Sequence, residues 1–262
     1  MRAMLFDMDG VIYDDAVLIP GARETIAWAR SQSIPYLFVT NTSSRGRAVL
    51  VEKLLRFSIP AAAEDVLAPP AAAASWLRAH ATGPVALFVR AKTRPEFEGL
   101  EILPDDAETG ARFVVIGDLE DAWNFSTLNR AFRLLHKSPD AQMIALGMTK
   151  YWQANDGLQL DVAPFVAALE HATGKNALVF GKPSELFFHA AANRLGIPPA
   201  DILMIGDDVE VDVAGAQRAG LKGALVRTGK FRPGDLERGI VPDAVLTSVA
   251  GLPEWWAMHA KA

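Results

Sequence analysis

Cysteine is absent from all 262 residues, which removes disulfide frameworks, thiolate zinc sites and cysteine nucleophiles together and fits a cytoplasmic protein. A large excess of one charge is also missing: 26 Lys and Arg against 31 Asp and Glu leave a formal net charge of −5. Without a global basic field to gather nucleic acid or anionic lipid, neither is expected as a partner. No apolar run approaches the roughly 18 residues of a membrane span. The apolar start, Met1–Phe6, meets Asp7 and Asp9 too early to serve as the core of a secretory signal. The expectation is a soluble, unprocessed chain. What is present in ordinary measure is core-forming material, with 50% hydrophobic and 22% charged residues, and the length permits one large domain or two smaller ones.

Short apolar runs alternate with longer amphipathic stretches, the pattern of β-α units around a largely parallel sheet. Strands are expected at Met4–Phe6, Pro35–Val39, Ala177–Phe180, Ile202–Ile205 and Gly223–Val226, and helices at Ala22–Ser31, Arg45–Phe57, Glu185–Leu195 and Val209–Ala219. In the last of these, Val209, Val213, Ala216 and Ala219 recur at helical spacing and mark a core-facing stripe. Residues from about Trp76 to Gly174 carry their own signals: strands at Val85–Val89, Phe113–Ile116 and Met143–Leu146, and helices at Phe125–Leu135 and Val162–Ala172. They form an inserted α+β domain in this reading, with 1–78 and 175–262 as an α/β core of Rossmann-like parallel-sheet type and 79–174 as the insert. The Ala- and Pro-rich run Ala68–Ser75 is either a hinge or a simple loop and helix start.

Chemistry concentrates where expected strands end. In LFDMDG, residues 5–10, a strand runs into Asp7 and Asp9, and the carboxyl ends of strands in open α/β sheets face the ligand crevice. In YLFVTNTSS, residues 36–44, Thr40 and Asn41 are suited to hold phosphate oxygens, while Thr42, Ser43 or Ser44 is suited to cap the following helix. Lys182 stands between a strand and a helix start, placed like an anion ligand. In ILMIGDDVEVD, residues 202–212, the acids Asp207, Asp208 and Asp212 would repel one another in a crevice unless a cation compensates. A hard divalent ion, Mg²⁺ first, is the economical partner.

Taken in order, these four strand-end motifs resemble the haloacid dehalogenase superfamily of phosphohydrolases along essentially the whole chain. The insertion between the second and third motifs is similar to the large α+β cap of class IIA members, the NagD-like group. The stretches DGLQLDVAPFVAALEHATG, MIGDDVEVDVAGAQRAG and VRTGKFRPGDL look most like the branch containing the phospholysine phosphohistidine inorganic pyrophosphate phosphatases. Animal members of that branch can carry a non-acidic residue at the second position of the DxD motif, where this sequence has Asp9.

The resemblance implies a phosphatase acting on a small phosphorylated molecule through an aspartyl-phosphate. Asp7 would be the nucleophile and Asp9 the general acid and base. Mg²⁺ would be held by Asp7, the Asp9 carbonyl and Asp207, with Asp208 and Asp212 orienting its waters. Lys182, Thr40 and Asn41 would bind the phosphoryl group. Lys150, Tyr151 and Trp152, in the segment Gly147–Gln153 after an expected strand, are the candidates for substrate choice. Class IIA relatives also imply a homodimer through the cap. Alternatives are a phosphotransferase or phosphomutase using the same intermediate and an idle protein-binding scaffold. A dehalogenase would not need Asp9 or a metal, and a receiver-like module would not need the insertion.

Overall fold

The computed structural model describes residues 1–154 and 157–259, without the side chains of Gln153 and Ala154. The chain divides into two compact units, one of residues 1–40, 47–67 and 182–262, the other of residues 41–46 and 68–181.

In the first unit the chain runs β1 (Ala3–Asp7), a small antiparallel pair β2 (Tyr13–Asp14) and β3 (Val17–Leu18), α1 (Ala22–Ser31), β4 (Tyr36–Val39), α2 (Arg47–Arg56) and β5 (Val66–Leu67). The second unit supplies α3 (Pro69–His80), β6 (Val85–Phe88), β7 (Phe113–Ile116), α4 (Phe125–His136), β8 (Gln142–Ala145), β9 (Tyr151–Ala154), β10 (Gly157–Leu160), α5 (Val162–Thr173) and β11 (Leu178–Val179). The first unit then resumes with α6 (Glu185–Leu195), β12 (Ile202–Gly206), α7 (Gly215–Arg218), β13 (Lys222–Val226), β14 (Ala244–Leu246) and α8 (Leu252–His259).

Six strands of the first unit form one sheet in the order β14-β13-β12-β1-β4-β5, every neighbouring pair parallel. Both β1 and β12 are buried along their whole length. That burial explains why each reads as a continuous apolar run without the alternation of a half-exposed strand. The chain fills the sheet outward from β1 on one side and returns to fill it outward from β12 on the other. The topological switch point therefore lies between β1 and β12, where ligands bind in such sheets.

The second unit has its own parallel sheet, β11-β8-β7-β6, and a separate hairpin of β9 and β10. Several expectations change here. The strand expected at Ala177–Phe180 pairs with β8 and so belongs to this sheet. Ala68–Ser75 is the start of a helix: Pro69 and Pro70 occupy the first turn of α3, where the missing N–H of proline costs nothing, and Ala71 to Ala74 are buried. With α3 and β11 included, the unit is wider than residues 79–174. The helix expected from Val209 opens as a π-helical turn, Val209–Ala214, before α7, yet Val209, Val213, Ala216 and Ala219 are all buried as the stripe predicts. No helix among the described residues is long and apolar enough to cross a membrane.

Candidate active site

Asp7 is the last residue of β1, and Asp207 follows β12, so the two strands flanking the switch point each end in a buried carboxylate. Asp212 comes from the π-helical turn after β12 and is also buried. Carboxylate oxygens of Asp7, Asp207 and Asp212 lie within 4.8 Å of one another. Lys182, the buried residue two places before the Ser184 cap of α6, enters this group. Its Nζ lies 2.7 Å from Asp7 Oδ1 and 2.7 Å from Asp212 Oδ1. The Met8 N–H donates to Asp7 Oδ1 at 2.8 Å, and the Asp208 N–H donates to Asp212 Oδ2 at 3.2 Å.

The charges do not balance. Three buried carboxylates face one buried ammonium, and burial pushes the carboxyls up: Asp207 to about 6, helped by Asp212 and opposed by the Lys230 N–H, and Asp212 to about 6, helped by Asp7 and opposed by Lys182. Asp7 is raised by the same desolvation, which Lys182 opposes and Asp207 reinforces. Burial works against the Lys182 ammonium, but Asp212 and Asp7 together outweigh it and hold the proton more tightly than usual. One oxygen, Asp207 Oδ1, is buried with no hydrogen-bond partner. An orphaned acceptor beside excess negative charge suits a divalent cation with oxygen ligands, and Mg²⁺ fits this donor set.

Two glycines create the close packing around Asp207. Gly10 (φ +79°) and Gly229 (φ +59°) both have left-handed backbones, and a Cβ on either would approach Asp207 Oδ2 to 2.0 and 2.1 Å. The loop after β13 completes the arrangement: Thr228 Oγ1 donates to the Gly10 carbonyl at 2.5 Å, and the Lys230 N–H donates to Asp207 Oδ2 at 2.7 Å. Thr228, Gly229 and Lys230 were not singled out by sequence reasoning. Their signal was the RTGK segment, which offers a turn-forming glycine after an apolar strand.

Asp9 stands apart, with a side chain 58% exposed, its Oδ1 4.0 Å from Lys53 Nζ. Thr40 is buried at the end of β4, its N–H donating to the Leu67 carbonyl at 3.2 Å. Asn41 falls in the second unit, its Oδ1 close to Gly181. The helix after it begins only at Arg47, too far along for Thr42, Ser43 or Ser44 to be its N-cap. Asp208 differs most from its expected place. Its Oδ1 accepts the N–H groups of Glu210 and Val211, both at 3.0 Å, so it caps the helical turn while Asp212 turns to Lys182.

The segment Gly147–Gln153 is a loop only as far as Lys150, because Tyr151 and Trp152 begin β9. Neighbours on a strand point to opposite faces. Tyr151 therefore shares a face with Leu160 opposite it and with Leu158, while Trp152 lies on the other side with Gln159. The two rings do not converge. The Lys150 side chain is exposed.

A family model of haloacid dehalogenase-like hydrolases matches residues 4–102, and a second HAD-like hydrolase model matches residues 179–252. The chain is 36% identical over 247 residues to haloacid dehalogenase-like hydrolase domain-containing protein 2 of Bos taurus, covering 94% of this chain and 92% of that one. It is 36% identical over 239 residues to the phospholysine phosphohistidine inorganic pyrophosphate phosphatase of Homo sapiens, covering 90% and 86%. Its fold matches the p-nitrophenyl phosphatase of Archaeoglobus fulgidus with a TM-score of 0.86 at 28% identity, over 97% of this chain and 98% of that one.

Proposed function

The chain belongs to the haloacid dehalogenase-like hydrolases, and we propose that it is a Mg²⁺-dependent phosphatase that cleaves a small phosphorylated substrate through an aspartyl-phosphate on Asp7. The observation that carries this reading is the buried group of Asp7, Lys182, Asp212 and Asp207 at the carboxyl ends of β1 and β12.

In the first step an Asp7 oxygen attacks phosphorus, the bond from phosphorus to the leaving oxygen breaks, and Asp9 delivers a proton to that oxygen. In the second, Asp9 takes a proton from water as its oxygen attacks phosphorus, and the bond to Asp7 breaks to restore the carboxylate and release phosphate. Lys182 is already within 2.7 Å of Asp7 and so screens the nucleophile from the approaching anion. Asp212 fixes Lys182 from its other side. Thr40 offers a neutral hydroxyl to a phosphoryl oxygen. A bound Mg²⁺, held by Asp7, the Asp9 backbone carbonyl and Asp207, would neutralise charge on the phosphoryl group. The exposure of Asp9 suits its work, since it must meet both a leaving group and a water.

Substrate choice is a separate matter, because nucleophile, lysine and metal ligands address only what every phosphate ester shares. We assign it to the second unit, with Lys150 and Trp152 as its candidates, Tyr151 lying on the opposite face of the hairpin from Trp152. The face shared by Tyr151, Leu158 and Leu160, which are 58%, 67% and 61% exposed, is the proposed contact of a homodimer.

The test is phosphate release from p-nitrophenyl phosphate by wild type and Asp7→Asn, each with Mg²⁺ and with EDTA. Turnover by wild type with Mg²⁺ alone is the expected result. Wild-type turnover by Asp7→Asn would remove Asp7 as nucleophile, and full activity in EDTA would remove the metal.

A further inference from the structure

The general acid in this reading is the most exposed of the reacting groups, and an exposed aspartate has several rotamers open to it. A carboxyl that must protonate one oxygen and later deprotonate another gains rate from being held near both, since small misplacements of a reacting group are costly. The structure contains a device for this within the first unit. Lys53, on α2, brings its Nζ to 4.0 Å from Asp9 Oδ1 and to 3.6 Å from the centroid of the Tyr13 ring.

Tyr13 is a firm base for that lysine. It is 1% exposed, and Phe57 stacks on it at a centroid distance of 5.7 Å. Lys53 lies near the end of α2 and Phe57 is the first residue after it, so the tyrosine meets one side chain from the helix and one from the turn that follows. The tyrosine is in turn tied to the aspartate through the backbone. The Gly10 N–H donates to the Tyr13 carbonyl at 2.7 Å, the Tyr13 N–H donates to the Met8 carbonyl at 3.1 Å, and Asp9 and Tyr13 form an isolated β-bridge. The side-chain position of Asp9 and the backbone loop that carries it are thus referred to the same point on α2. The Lys53 side chain is 23% exposed and that of Asp9 58%, so the pair sits where water weakens it, and ion pairs of this kind add little to stability. Its consequence is orientation.

We infer that Lys53 is a positioning residue for Asp9: seated on the Tyr13 ring, its ammonium draws the Asp9 carboxylate toward one rotamer. This rests on Asp9 being the general acid and base.

The experiment measures kcat and KM for a series of substituted phenyl phosphates with Mg²⁺, from nitrophenyl to phenyl. The proteins are wild type, Lys53→Met, Lys53→Arg, Asp9→Asn and the double variant Lys53→Met/Asp9→Asn. Methionine keeps the apolar stem over Tyr13 and removes only the charge. For phenyl phosphate, Lys53→Met is expected to lower kcat about tenfold with KM little changed. The loss shrinks toward the nitrophenyl end, where the leaving group needs less help. Lys53→Arg restores most of it, and in the Asp9→Asn background Lys53→Met changes nothing further. A loss that persists in the Asp9→Asn background, or a rise in KM alone, would mean that Lys53 touches substrate and would overturn the inference. So would a uniform loss along the series accompanied by a fall in Tm. If Asp9→Asn steepens the dependence on leaving group while Lys53→Met does not, the inference fails and the role of Asp9 stands. If Asp9→Asn itself leaves the series unchanged, both fall.

Discussion

Both units are built on a parallel sheet with charged residues just beyond the strand ends, and they differ in how far those charges are buried together. In the second unit, Arg90 follows β6 and Asp118 follows β7, with Arg90 Nη2 2.8 Å from Asp118 Oδ2 and the same guanidinium paired with Glu120. The Asp118 side chain is 9% exposed, but that of Arg90 is 25% exposed and that of Glu120 44%, so solvent reaches part of the group. In the first unit, Lys182 is 3% exposed between side chains of Asp7 and Asp212 that are 11% and 1% exposed, and the acids outnumber it. Charge in water is cheap and nearly inert, whereas the same charge with water removed shifts proton affinities and calls for a cation. Placement at a strand end, and an acid buried beside a cation, are shared by the two sheets, whereas among the described residues three buried carboxylates brought together occur only in the first unit.

The sharpest way to break this contrast is at Asp9, the exposed member of the first unit's site. Asp9→Asn is expected to lower turnover of alkyl phosphates by roughly 10²- to 10⁴-fold, the worth of a positioned general acid, and to lower that of p-nitrophenyl phosphate less. Steady-state rates on the two substrate types check this, and equal losses would deny Asp9 the acid role.

Metal removal tests the imbalance itself. Asp207 and Asp212 hold protons more tightly in the folded chain than in the unfolded one, which stabilises the fold at low pH and is lost as pH rises from the ordinary 3.8 through about 6. Metal-free protein should therefore lose stability across that window. Mg²⁺ should restore it most strongly above the window, because ligation needs the carboxylates. At about 100 times its Kd, Mg²⁺ should add about 2.7 kcal/mol, or roughly 5–10 °C in Tm. Melting curves at pH 5 and 7.5 with and without Mg²⁺ check the sign, and the gain should vanish in Asp207→Asn.

The second unit should respond in selectivity. Lys150→Ala and Trp152→Ala are expected to reorder kcat/KM across sugar phosphates, nucleotides, pyridoxal phosphate, pyrophosphate and phosphoamides by about tenfold, or about 1.4 kcal/mol. Mg²⁺ affinity should stay unchanged. A uniform loss would show that these residues serve the common chemistry. The smallest effect belongs to Asp208→Ala: loss of a cap that accepts two N–H groups should cost about 1 kcal/mol, visible in Tm, with kcat nearly retained.

What was legible in the sequence was whatever local pattern fixes. Met4 to Phe6 and Ile202 to Ile205 are fully buried strands, and apolar runs that stop at an acid announce both the strand and its functional end. Asp7 and Asp207 were named for this reason, Asp212 for the acids that crowd after the second run, and Lys182 for its place between a strand and a helix start. What was hidden depends on pairing across the chain. Val66–Leu67 and Leu178–Val179 are two-residue strands whose sheet is decided by partners far away in sequence. Lys53 meets Asp9, and Lys230 meets Asp207, only after the intervening chain has folded. Asp207 and Asp208 are adjacent and chemically alike, yet one points into the buried group and the other caps a helical turn, a division that depends on backbone direction.

The central claim is that Asp7 carries the phosphoryl group, and the direct measurement is rapid acid quenching of the enzyme during turnover of a phosphorylated substrate with Mg²⁺, followed by peptide mass spectrometry. A phosphoryl adduct on the peptide that contains Asp7, absent from Asp7→Asn and gone once substrate is exhausted, is the predicted result. Sustained turnover with no adduct on that peptide at any quench time, while Asp7→Asn still releases phosphate, would contradict it.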